Sequence, residues 1–249
     1  MRTSNPALGD KTFNGLPSSL GDISNRMTLN GTVNKTGILL VLAIVSAGWT
    51  WLQFAQTRDV STIAPWMMLG GLGGFIAAMV TIFKKQWAPV TAPIYALLEG
   101  LLLGGISAVF ELRYPGIAFE SVALTFGTLF ALLFLYRTGI IRVTEKFRLG
   151  VFAATGAIAL FYLMQMILGF FHFEFTSVNG SGIIGIGFSL IVVGVAALNL
   201  VLDFDFIEKG VQYGAPKYME WYGAFGIMVT LVWLYLEILR LLSKLQRRN

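Results

Sequence analysis

Long apolar stretches alternate with short polar breaks over most of the chain, and the stretches are too long and too uniformly apolar for water-facing helices. A helix needs about 20 apolar residues to cross the hydrocarbon of a bilayer. Seven such stretches are present, at 36–56, 65–83, 91–112, 118–136, 149–171, 182–207 and 221–245. The breaks between them carry charges, Pro or Gly, the residues that end helices and turn chains. The pattern predicts an all-α fold, a polytopic membrane protein built as a bundle of seven transmembrane helices. Residues 1–35 are polar and rich in Asn, Ser, Thr and Gly, which predicts a mobile N-terminal tail. Residues 246–249 form a short basic tail, so the transmembrane domain is expected over 36–245. Deleting residues 2–30 is therefore expected to leave the spans folded.

Composition agrees with this pattern. The chain of 249 residues is 56% hydrophobic and only 12% charged, against about 25% charged in ordinary soluble domains. Lipid is the solvent that makes such a composition sensible. No cysteine is present, which excludes disulfides, thiol catalysis and Cys-ligated metal. The net charge of +5 reads as an orientation signal rather than as nucleic-acid binding. With the N-terminus in the cytoplasm, the loops facing inward hold most of the Lys and Arg, notably Lys84, Lys85, Arg137, Arg142, Lys146 and Arg148. Arg240, Lys244, Arg247 and Arg248 oppose that count. A last segment that enters and returns would satisfy both, but seven full crossings are the expected arrangement. Gly70 with Gly74, and Gly100 with Gly104, are spaced for close helix contact in lipid.

Ionisable groups inside a membrane are costly and mark candidate functional sites. Glu99, Glu111, Asp203, Asp205 and Glu237 are the candidates. Glu111 and Asp205 lie near span ends and also read as interfacial charges. Glu237 has Arg240 at i, i+3, a spacing that allows a shielding ion pair. Two carboxylates held together in a low dielectric cannot both ionise cheaply, so one keeps its proton to higher pH.

The stretches NLVLDFDFIEKG and LVWLYLEILRLLSKL resemble the two signature stretches of the Bax inhibitor-1 family, also called the transmembrane Bax-inhibitor-motif family. Asp203 falls on the acid of that family's Asp-Thr-Gln-x-Ile type motif, with Asp205 at the usual Gln and Ile207 on the Ile. Glu237, after Leu234, Tyr235 and Leu236, falls on the acid of its Leu-Tyr-Leu-Asp type motif. Span three, EGLLLGGISAVFE, is similar to the family's Gly-containing third span, with Glu111 at an acid found there. The resemblance, to the bacterial Bax inhibitor-1/YccA-like branch, implies an integral protein of the bacterial inner membrane and a pH-sensitive calcium leak. In that picture Asp203 and Glu237 share a proton near neutral pH and close a pore. Ionised, they part and act as weak, transient ligands for Ca²⁺. For the two acids to meet, residues 216–226 are expected to lie at the interface, with the crossing starting near Ile227. The sequence departs from the family at Glu237, which replaces the usual Asp, and at Asp205, an added acid. No early-span base is found to pair with the acids. The partners implied are the lipid bilayer, Ca²⁺ or protons, and membrane proteins, with no resident cofactor. A proton-coupled transporter and a non-conducting membrane regulator are the alternatives. No enzyme is expected: the lone His172 sits beside a loop and no nucleophile–base or metal cluster accompanies it.

Overall fold

Seven helices long and apolar enough to cross a membrane are present in the computed structural model, which describes residues 25–171 and 176–248. They are α1 (Leu29–Thr57), α2 (Val60–Phe83), α3 (Ala88–Arg113), α4 (Ile117–Arg137), α5 (Glu145–Gly169), α7 (Ile183–Gln212) and α8 (Met219–Arg248). A single turn, α6 (Thr176–Asn179), precedes α7, and a short 3₁₀ turn, Lys85–Trp87, precedes α3. The chain is thus a seven-span α-helical membrane protein, as its hydropathy pattern predicts. A helix satisfies its own backbone, which is the requirement for crossing lipid.

The ends follow from local chemistry. Thr28 caps α1, its hydroxyl accepting from the Gly31 N–H at 3.0 Å. Asp59 caps α2 by accepting from Ser61 through both its hydroxyl and its N–H. Those hydrogen bonds hold the Asp59 carboxyl below the usual carboxylate range. Thr144 does the same work for α5, accepting from Phe147 N–H at 3.2 Å. Buried hydroxyls inside the spans donate back to the preceding turn, as Thr36 does to Thr32 O and Thr81 to Ala77 O.

The chain divides into two compact units, one of residues 25–118 with 205–229 and the other of 119–204 with 230–248. In the first, α3 packs against both α1 and α2. Helix association in lipid depends on close packing rather than on a hydrophobic driving force, and α3 supplies it with glycine. A side chain at Gly100 would run into Ser46 and Ala43, and one at Gly104 into Ala47. Gly70 likewise lies against the Leu98 carbonyl and Leu102 backbone of α3. The glycine pairs expected to mark close contact do so.

Three expected boundaries move. The first helix begins at Leu29, not 36, so residues 29–35 belong to a span. Residues just before it are tied down as well: Arg26 bridges Pro216, and Met27 N–H donates to Ala215 O at 2.7 Å. The part of the expected tail before residue 25 lies outside the described residues. At the other end α8 is one unbroken helix from Met219 to Arg248, which excludes a segment that enters and returns and absorbs the basic tail. The last helix starts at Met219 rather than near Ile227, and Met219, Tyr222 and Phe225 in its first turns are fully buried. Tyr222 lies tilted against Phe206 and Phe225, and Phe225 meets Tyr95 edge to face at 5.0 Å. His172 lies outside the described residues.

Candidate functional site

The second unit carries a polar stripe on α8. Thr230, Glu237 and Lys244 recur every seven residues, close to two helical turns, so they share one face at steps of about 10 Å. Each holds a different partner.

At the first level the Thr230 hydroxyl donates to Asp203 Oδ2 at 2.6 Å. Asp203 is completely buried, on α7, between the apolar Leu202 and Phe204. At the second level Glu237 is 2% exposed. Its Oε1 accepts from Tyr162 of α5 at 3.0 Å, and Arg240 Nη1 donates to Oε1 at 3.0 Å and Oε2 at 3.2 Å. Arg240 also donates to the Tyr162 hydroxyl at 2.7 Å, and its guanidinium lies over that ring. At the third level the buried Lys244 ammonium donates to Val178 O, Gly185 O and Ser189 Oγ. One turn from the first level, Asn199 of α7 donates to Thr155 of α5 at 2.8 Å, linking the two helices.

This geometry corrects the expected direct pair. Glu237 is engaged by Tyr162 and Arg240, Asp203 by Thr230, and the two levels are about two turns apart. Two carboxylates on different levels do not share one proton through a hydrogen bond, which needs oxygens within about 3 Å. The i, i+3 pairing of Glu237 with Arg240 that the sequence allowed is formed, on the same helix. What the sequence did place is the pair of buried acids on α7 and α8.

The first unit holds the other three candidates. Glu111 is a cap: its carboxylate accepts from Gly116 N–H at 2.6 Å and Ala118 N–H at 3.2 Å. It satisfies free N–H groups where α4 begins, a favourable place for negative charge. Asp205 forms an ion pair with Lys209 at 2.7 Å, one turn further along α7. Glu111 thus fastens the start of α4, whereas the Asp205 charge is shielded within its own helix. Glu99 is buried in α3, with its carboxylate in the space left by Gly74 of α2. Among the described residues no three of His, Asp and Glu converge as a metal-binding group, so any Ca²⁺ held by Asp203 or Glu237 would have few carboxylate ligands.

Sequence reasoning missed Tyr162, Thr230 and Lys244. The seven-residue recurrence of Thr230, Glu237 and Lys244 in an otherwise apolar helix was the available signal. It also missed Glu220, which is fully buried and bound by Thr28 and Lys35.

Compared with known proteins, the chain matches the family model described as Bax inhibitor 1 like over residues 4–247. No curated protein matches it. No solved structure matches it either.

Proposed function

The chain belongs to the Bax inhibitor 1 like family, and from that membership we propose that it is a pH-sensitive calcium leak of a bacterial inner membrane, with its N-terminus in the cytoplasm. The observation that carries the reading is Asp203, an acid completely buried in a span and hydrogen-bonded to Thr230. A charge taken out of water is costly unless it is paired or hydrogen-bonded. Protonated, Asp203 and Thr230 close the polar stripe with a neutral hydrogen bond. Ionised, Asp203 demands water or a cation, and the hard oxygen chemistry of a carboxylate suits Ca²⁺. Glu237 is bound instead by Arg240 and Tyr162, on a separate level of the stripe. Protons and calcium are then the ligands, no resident cofactor is involved, and no bond is made or broken.

The test is calcium entry into proteoliposomes of the purified protein, measured from mildly acidic to mildly alkaline pH. Flux is expected to rise with pH. Asp203→Asn should lower flux about tenfold at alkaline pH and abolish its pH dependence, whereas Glu237→Gln should keep the pH dependence. Because the two acids lie on separate levels about two turns apart, their effects in the double variant should be close to additive. Liposomes silent at every pH, with correctly folded protein, would favour a non-conducting regulator.

A further inference from the structure

The ammonium of Lys244 ends in a cage of three oxygens, at 2.8 Å from Val178 O, 3.0 Å from Gly185 O and 2.9 Å from Ser189 Oγ. Its three donors meet three acceptors. Lys244 is 7% exposed and Ser189 1%. The cage is assembled from two elements, the single turn α6 and the start of α7. Gly185 is required for it, since a side chain there would collide with the carbonyls of Gly180 and Val178.

Every oxygen in the cage is neutral. Among the described residues the nearest acid on the same face of α8, Glu237, lies about 10 Å back along the helix and is already bound by Arg240. A buried charge is normally paired with an opposite one. Here it is instead solvated by carbonyl and hydroxyl dipoles, which is how a protein replaces the hydration shell of a small cation. Divalent hard ions call for carboxylates, so neutral oxygens suit a monovalent cation of ammonium size.

We propose that this cage is a monovalent-cation site, plugged by the chain's own tethered ammonium. Lys244 is the built-in occupant, and its withdrawal leaves a site for free potassium or ammonium. While seated, it fastens α6 and the start of α7 to the end of α8.

The test is a cation titration of Lys244→Met full-length protein, followed by thermal unfolding in detergent. Potassium and ammonium chlorides should raise its melting temperature saturably, by about 2–4 °C. N-methylglucamine chloride should not, and the unsubstituted protein should respond to none of the three. Adding Ser189→Ala should weaken the response. An equal response to all three salts, or none, overturns the proposal. If the variant is too unstable in detergent, the comparison is made in isolated membranes by protease resistance. Absence of folded protein there at every potassium and ammonium concentration also overturns it, because a cage that accepts free cations would be refilled.

Discussion

Two glutamates of α8, Glu220 and Glu237, are almost equally buried, at 0% and 2% exposed, yet they do different work. Glu220 is bound by residues far away in the chain: the Thr28 N–H at 2.9 Å, the Thr28 hydroxyl at 2.8 Å, and the Lys35 ammonium. Gly31 leaves the carboxylate its space. The cluster fastens the start of α1 to the start of α8. Glu237 takes its countercharge from its own helix at i+3, and among the described residues only Tyr162 comes from elsewhere. An ion pair inside one helix ties together nothing that the helix does not already hold. Burial of an acid is therefore a poor guide to its role. The sequence distance of its partners is a better one, since long-range partners mark a fastening and local ones a shielded charge within a polar stripe.

The largest expected effect separates two truncations. Removing residues 2–30 deletes the Arg26–Pro216 bridge, the fully buried Met27 and both Thr28 bonds to Glu220. That truncation is expected to give poorly folded protein in size-exclusion and thermal-unfolding assays. Removing residues 2–24 spares all of these contacts and should leave the spans folded. Equal behaviour of the two would dissolve the contrast between the glutamates.

Point variants sharpen it. Glu220→Ala leaves the Lys35 ammonium, 16% exposed, without its carboxylate, and removing one partner of a buried pair costs about 3 kcal/mol. A substantial fall in melting temperature is expected, partly recovered by adding Lys35→Met. Glu237→Gln is expected to cost about 1 kcal/mol. The amide still accepts from Tyr162, and Arg240, with its side chain 46% exposed, can turn toward water. Equal losses for the two glutamates in one thermal assay would show that partner distance does not distinguish them.

The same contrast explains what could be read from the sequence. The seven spans were legible because the hydrocarbon imposes length and apolarity on every one of them. The Glu237–Arg240 pair was legible because helical spacing is local. The Glu220 cluster was not, since its partners lie 185 and 192 residues away and no local pattern encodes such a contact. Glu111 resembled a pathway acid for a similar reason: its work as a cap depends on a turn whose geometry the sequence does not display. Thr230 was passed over because a lone threonine in a span ordinarily bonds its own helix, as Thr36 does, whereas Thr230 reaches Asp203 on α7.

The smallest expected effect comes from Tyr162→Phe, which tests whether Glu237 is tied to α5 at all. The hydroxyl donates to Glu237 and accepts from Arg240, so its loss removes two hydrogen bonds. A typical intramolecular hydrogen bond contributes about 1 kcal/mol net, but Arg240 and Glu237 remain bonded to each other, and Arg240 has access to water. The ring itself, against Phe188 of α7, is unchanged. A loss of about 0.5–1 kcal/mol is therefore expected, smaller than for Glu237→Gln. The Tyr162→Phe and Glu237→Gln effects should not add, because Tyr162, Glu237 and Arg240 form one hydrogen-bond network. A loss comparable to that of Glu220→Ala would mean that the hydroxyl is an anchor between α5 and α8, and Glu237 would then join Glu220 as a fastening.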